Sequence, residues 1–139
     1  MFDEKTKSEL RYYVYLLVNP ETKTPFYVGK GIGNRVFNHL MDAKDGKVGT
    51  EKLDHIQSIL KKHKSVEHVI VRHGLNEKTA FQIEAALIDT FRFIPTFNEF
   101  VSGNIQGGMN SIENGLMSSE EVKRKYNALP LNSIPNTTI

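Results

Sequence analysis

Cysteine is absent from all 139 residues. That excludes disulfides and cysteine-based zinc sites, so any metal must be held by carboxylates, imidazoles or water. Long apolar runs are missing as well, and none approaches the ~20 residues a membrane-spanning helix needs. The polar opening MFDEKTKSEL does not have the form of a signal peptide. The cytoplasm is therefore the expected location, with no membrane partner. Charge of one sign is also scarce. Against 18 Lys and Arg stand 16 Asp and Glu, a net charge of +2, which permits contact with a polyanion without demanding it. There is no internal repeat, no low-complexity segment and no helix-turn-helix or zinc-finger pattern. The glycine-rich stretch SGNIQGGMNS lacks the lysine and serine spacing of a P-loop. It reads as a flexible surface loop rather than a nucleotide site, with contact to DNA left open. With 39% hydrophobic and 24% charged residues, a chain of this length makes one domain with enough residues for a real core.

What is present concentrates in residues 11–40. Tyr12 to Val18 is an aromatic and β-branched run, which favours a strand buried on at least one face. Asn19, Pro20 and Glu21 mark a turn. Phe26, Tyr27 and Val28 make a second short strand, antiparallel to the first as a hairpin. Gly29, Gly31 and Gly33 then allow the backbone a close approach to something. A helix over 34–44 follows, with Asn34 as its expected N-cap and Arg35 and His39 spaced i, i+4 on one face. Further on, the pattern predicts a helix from Glu51 to His63, ending in the run Lys61-Lys62-His63-Lys64. A third strand over Val66 to His73 comes next. A strongly apolar helix capped by Asn76 follows it and is closed by Pro95. A last helix is capped by Ser118 or Ser119 and stopped by Pro130.

The hairpin carries more polar chemistry than a core needs. Tyr15 and Tyr27 sit one on each strand, with Lys30, Arg35 and His39 just beyond. Each alone reads as an ordinary half-buried phenol or a solvated cation. Together they are an inventory suited to a phosphodiester: cations to stabilise phosphoryl oxygens, and a phenol or imidazole to move a proton. Glu84 is anomalous in another way, since it lies between Ile83 and Ala85, one turn before Ile88. Carboxylates are seldom buried unless paired or metal-bound. It either faces water, pairs with a cation such as Arg35, or holds one divalent ion, and the last is the better reading.

Tyr13-Val14-Tyr15 and Tyr27-Val28-Gly29, followed by Arg35 and His39, resemble the GIY-YIG nuclease signature. Tyr13 stands where the eponymous glycine would be, and Val14 and Val28 replace isoleucines. The pieces FYVGKG, NEKTAFQIEAALID and GLMSSEEV are similar to the branch found in LEM-domain-associated nucleases. The resemblance runs roughly from Tyr12 to Leu129. It implies an α/β (α+β) domain, a small three-stranded and mainly antiparallel sheet flanked by helices. Residues 1–10 would be a tail, 11–100 the nuclease core, 101–130 a loop and helix packed on the same domain, and 131–139 a second tail.

The implied activity is metal-dependent hydrolysis of DNA phosphodiesters, nicking one strand per active site. Glu84 would hold one Mg²⁺ or Mn²⁺ with waters and a substrate phosphate, as suits an ion that keeps much of its hydration shell. Arg35 would neutralise phosphoryl charge, and Tyr15, with Tyr27 and a relay through His39, would handle the attacking water. Lys30 and Asn98 would be substrate-binding residues. DNA is the expected partner of a monomer or transient dimer, with no small-molecule cofactor. Two alternatives stay open. One is an inactive binding module, to which Tyr13 lends its support; the other is a nuclease acting on RNA.

Overall fold

The computed structural model describes residues 1–63, 65–100 and 115–127. The glycine-rich stretch, Lys64, Leu129, Pro130 and the expected tail over 131–139 lie outside the described residues.

Glu4–Leu10 form α1, Tyr12–Val18 β1, Pro25–Ile32 β2, Asn38–Lys44 α2, Glu51–Leu60 α3, Glu67–Leu75 β3, Glu77–Phe93 α4 and Ser119–Asn127 α5. The sheet order is β2-β1-β3 and both pairings are antiparallel. The expected three-stranded sheet flanked by helices is what the chain adopts.

β1 is the central strand, and its unbroken apolar run follows from burial on both faces. Tyr13, Tyr15 and Leu17 pack with Val36, Leu40, Leu53, Ile56 and Ile59 from the α2–α3 side. Val14 and Val28 pack with Ala80 and Ile88 of α4 on the other. A strand with no solvent face has no use for alternating polar residues.

Three local expectations change. The second strand runs through Gly29, Lys30 and Gly31, because Gly29 pairs with Tyr15 and Gly31 with Tyr13. Glycine is weak in strands, yet here space requires it. A Cβ on Gly29 would come 2.5 Å from the Tyr15 hydroxyl, and one on Gly31 would come 2.9 Å from the Arg35 Cβ. Next, the helix expected from residue 34 begins as a 3-10 turn over Arg35–Phe37, and Asn34 caps nothing with its side chain. Its Oδ1 accepts instead from the Phe2 backbone N–H at 2.8 Å. Finally, part of the stretch read as an N-terminal tail is helical. Asp3 caps α1 by accepting from the Thr6 N–H, Leu10 is buried, and the Phe2 ring meets that of Phe37 at 5.1 Å.

Elsewhere the caps fall where the residue types put them. Thr50 accepts from the Leu53 N–H and Asn76 from the Thr79 N–H at 2.8 Å. Ser118 and Glu121 satisfy each other's backbone N–H in a capping box. No residue of α5 is buried.

Candidate active site

β2 is an edge strand, and without side chains at 29 and 31 it offers no wall between the two faces of the sheet. Groups from both sides meet there in a cavity of about 240 Å³. It is lined by Tyr15, Tyr27, Lys30, Arg35 and Glu84, together with Tyr12, Ile32, Glu77 and the two glycines. Five of the seven residues singled out from the sequence therefore share one cavity. His39 stands behind it, its Nε2 2.9 Å from the Tyr15 hydroxyl. Asn98 is exposed in the turn after α4 and is not among the lining residues.

Tyr13, the departure from the eponymous glycine, does not enter the cavity. It is fully buried, donates its hydroxyl hydrogen to the Gly33 carbonyl at 2.7 Å and accepts from the Val36 N–H at 3.1 Å. One phenol thereby pins both sides of the turn that presents Arg35. A glycine in its place could make neither bond.

Burial sets the protonation of the proton-handling groups. The Tyr15 phenol is pushed far above its ordinary range by desolvation, then by its neighbour Tyr27, with Tyr13 and Glu84 adding to this and Arg35 opposing it. Tyr27 is raised to about 12, again chiefly by burial, with Glu84 acting in the same direction and Arg35 against it. Neither phenol ionises near neutral pH, so Tyr15 alone is no base. His39 goes the other way. Burial, followed by repulsion from Lys52 and Arg35, lowers it to about 4, so its ring is neutral at physiological pH. In the tautomer that leaves Nε2 unprotonated, the Tyr15 hydroxyl donates to it.

Glu84 is only 1% exposed although it lines the cavity. Glu77 is the other lining carboxylate; it sits in the first turn of α4 and pairs loosely with Lys30 at 3.5 Å. Among the described residues no group of three or more His, Asp or Glu stands together as a metal cage. That donor set fits an ion bound through one or two carboxylates and its own waters, and does not fit a protein-caged zinc.

Two further groups escaped the sequence reading. Lys52, on α3, places its ammonium 5.2 Å from the centre of the Tyr27 ring. Its position two residues after a cap gave no hint that it would reach the hairpin. Glu99, next to Asn98, gathers hydrogen bonds from Asn19 at 2.6 Å, Thr24 at 2.6 Å, Thr22 at 3.0 Å and His55 at 2.8 Å. Burial works to raise its pKa, but the bonds from Asn19, Thr24, His55 and Thr22 outweigh that and lower it. Glu99 ties the β1–β2 turn to α3 and to the segment after α4.

A family model described as the LEM-3-like GIY-YIG domain matches residues 12–129. Among solved structures, the GIY-YIG N-terminal endonuclease domain of UvrC from Thermotoga maritima, a point mutant bound to its catalytic divalent cation, is 27% identical. That match covers 66% of this chain and 93% of the other, with a TM-score of 0.38. No curated protein sequence matches.

Proposed function

The chain belongs to the LEM-3-like GIY-YIG family of nuclease domains, and from that premise we propose that it is a metal-dependent endonuclease that hydrolyses DNA phosphodiester bonds, one strand per active site. The observation that carries this reading is the convergence of two phenols, two cations and a buried carboxylate on one cavity.

Glu84 would hold a divalent ion such as Mg²⁺ or Mn²⁺, which when bound supplies positive charge to the phosphoryl group and its leaving oxygen. The chain's own residues account for the rest. Arg35, at the mouth, takes the non-bridging oxygens and stabilises the charge that grows on them. Lys30 exchanges its loose pairing with Glu77 for a phosphate. Tyr27, held protonated, donates a hydrogen bond that orients the attacking water or a phosphate oxygen. Tyr15 moves a proton without ever becoming a free phenolate. As its oxygen takes a proton from the water, its own hydrogen passes to Nε2 of His39, which lies within hydrogen-bonding distance and is made more basic than in the empty protein by the negative charge of the bound phosphate.

An inactive binding module drew its support from Tyr13. That residue supports the turn carrying Arg35 and leaves the cavity open, so the departure speaks for retained chemistry. The test is cleavage of supercoiled plasmid beside an RNA of comparable length, in Mg²⁺, Mn²⁺ and EDTA. Metal-dependent nicking of the plasmid is the expected outcome. Cutting of RNA alone would replace the substrate class, and no cutting of either would overturn the reading.

A further inference from the structure

On the α3 side of the cavity stands a cation with no assigned task. Lys52 occupies the first turn of α3 (residues 51–60), where the positive end of the helix dipole favours acidic residues over basic ones. Its side chain is half-buried and turns over the Tyr27 ring. His39 meets the same ring at 5.0 Å. Burial, then repulsion from Arg35, lowers the Lys52 pKa, and only the charge of Asp42 opposes them. The Asp42 carboxylate is itself engaged by Lys47 at 3.1 Å.

A half-buried ammonium beside the Tyr27 ring and next to the positive end of a helix, repelled further by Arg35, destabilises the empty protein. An anion seated beside it removes that penalty. Contact with the ring gives the ammonium a direction but does not neutralise it.

We propose that Lys52 forms a second phosphate position, which takes a phosphate flanking, on the same strand, the scissile one held by Arg35. Arg35 faces the cavity and Lys52 stands just outside its lining, next to Tyr27. The strand therefore enters across the Tyr27 ring, with one phosphate in the cavity and its neighbour at Lys52. This rests on the reading of the protein as a nuclease. It adds a contact that holds the strand in register and carries no base preference.

The test is equilibrium binding of a fluorescent DNA duplex across a series of salt concentrations in EDTA, with plasmid nicking in Mg²⁺ run in parallel. Lys52→Gln and Lys52→Met are compared with Lys52→Arg, and thermal melts confirm that each variant is folded. Methionine retains an apolar stem for the ring, so the two neutral variants separate charge from packing. Both should weaken binding several-fold and reduce the slope of log affinity against log salt by about one. Lys52→Arg should restore both quantities. If wild type binds and nicks while the folded neutral variants keep the wild-type slope, the phosphate position is wrong and the nuclease reading stands. If wild type neither binds nor nicks, both fall.

Discussion

Gly29 lies directly against the Tyr15 ring: a Cβ on it would come within 2.5 Å of the hydroxyl oxygen and 2.6 Å of Cζ. The glycine is needed here for space, since its backbone is ordinary strand with no left-handed φ. The hydroxyl it accommodates is the one bonded to His39. Gly29→Ala should therefore displace Tyr15 from the cavity and break that bond. Overpacking of this kind costs about 1–3 kcal/mol. Nicking should fall by at least ~10-fold, the loss expected when a proton-moving group is misplaced. Steady-state nicking alongside urea unfolding checks both.

Tyr13 holds the Arg35 turn through two hydrogen bonds from one hydroxyl. Tyr13→Phe keeps the ring in the core and leaves the Gly33 carbonyl and the Val36 N–H without this partner. A loss of about 1–3 kcal/mol is expected, the scale for buried polar groups left unsatisfied. Because the turn presents Arg35, the nicking rate at saturating DNA should fall more than DNA affinity does. A Tyr13→Phe protein as stable and as active as wild type would remove the brace.

His39 makes stability depend on acidity. Its ordinary pKa near 6.5 is lowered to about 4 in the fold. Above pH 6.5 the neutral ring suits both folded and unfolded chains, and its contribution is fully present. Between 6.5 and about 4 only the unfolded chain takes up the proton, so stability falls as pH falls and levels off below the folded value. The total amounts to roughly 3 kcal/mol. Urea unfolding at pH 7, 5 and 4 should show wild type losing more than His39→Gln over that window, and equal losses would contradict it.

Glu99 should matter for the hairpin rather than for the reacting groups. Glu99→Ala strips a shared acceptor from Asn19, Thr22, Thr24 and His55 and should cost about 1–3 kcal/mol. Amide hydrogen exchange should quicken first at residues 19–24. An exchange pattern unchanged from wild type would show that the four bonds do not hold the turn.

The hairpin, the three strands and the apolar α4 were legible because each rests on a local pattern: an aromatic β-branched run, a turn at Asn19-Pro20, a 3.6-residue stripe behind an asparagine cap. The convergence of Tyr15, Tyr27, Lys30 and Arg35 followed from a hairpin that carries one tyrosine on each strand and the two cations just beyond. Other features depended on contacts distant in sequence. Strand character at Gly29 and Gly31 comes from the Tyr15 and Arg35 side chains that fill the missing Cβ positions, and propensity argues against it. Asn34 had cap chemistry, but Phe2 competes for its oxygen from 32 positions away. Lys52 resembles any exposed lysine until α3 folds against the hairpin. Glu99 and Asn98 are adjacent polar residues in one turn, and only the donors at 19–24 and 55 tell them apart.

The central claim is that Glu84 makes this cavity a metal-dependent nuclease site. Conversion of supercoiled plasmid to relaxed circle, measured against Mg²⁺ and Mn²⁺ concentration for wild type, Glu84→Gln and Arg35→Ala, tests it most directly. Wild type should nick only with metal, both variants should lose at least ~100-fold in rate, and raising the metal concentration should not rescue Glu84→Gln. Equal nicking by Glu84→Gln and wild type, or full nicking in EDTA, would contradict the account.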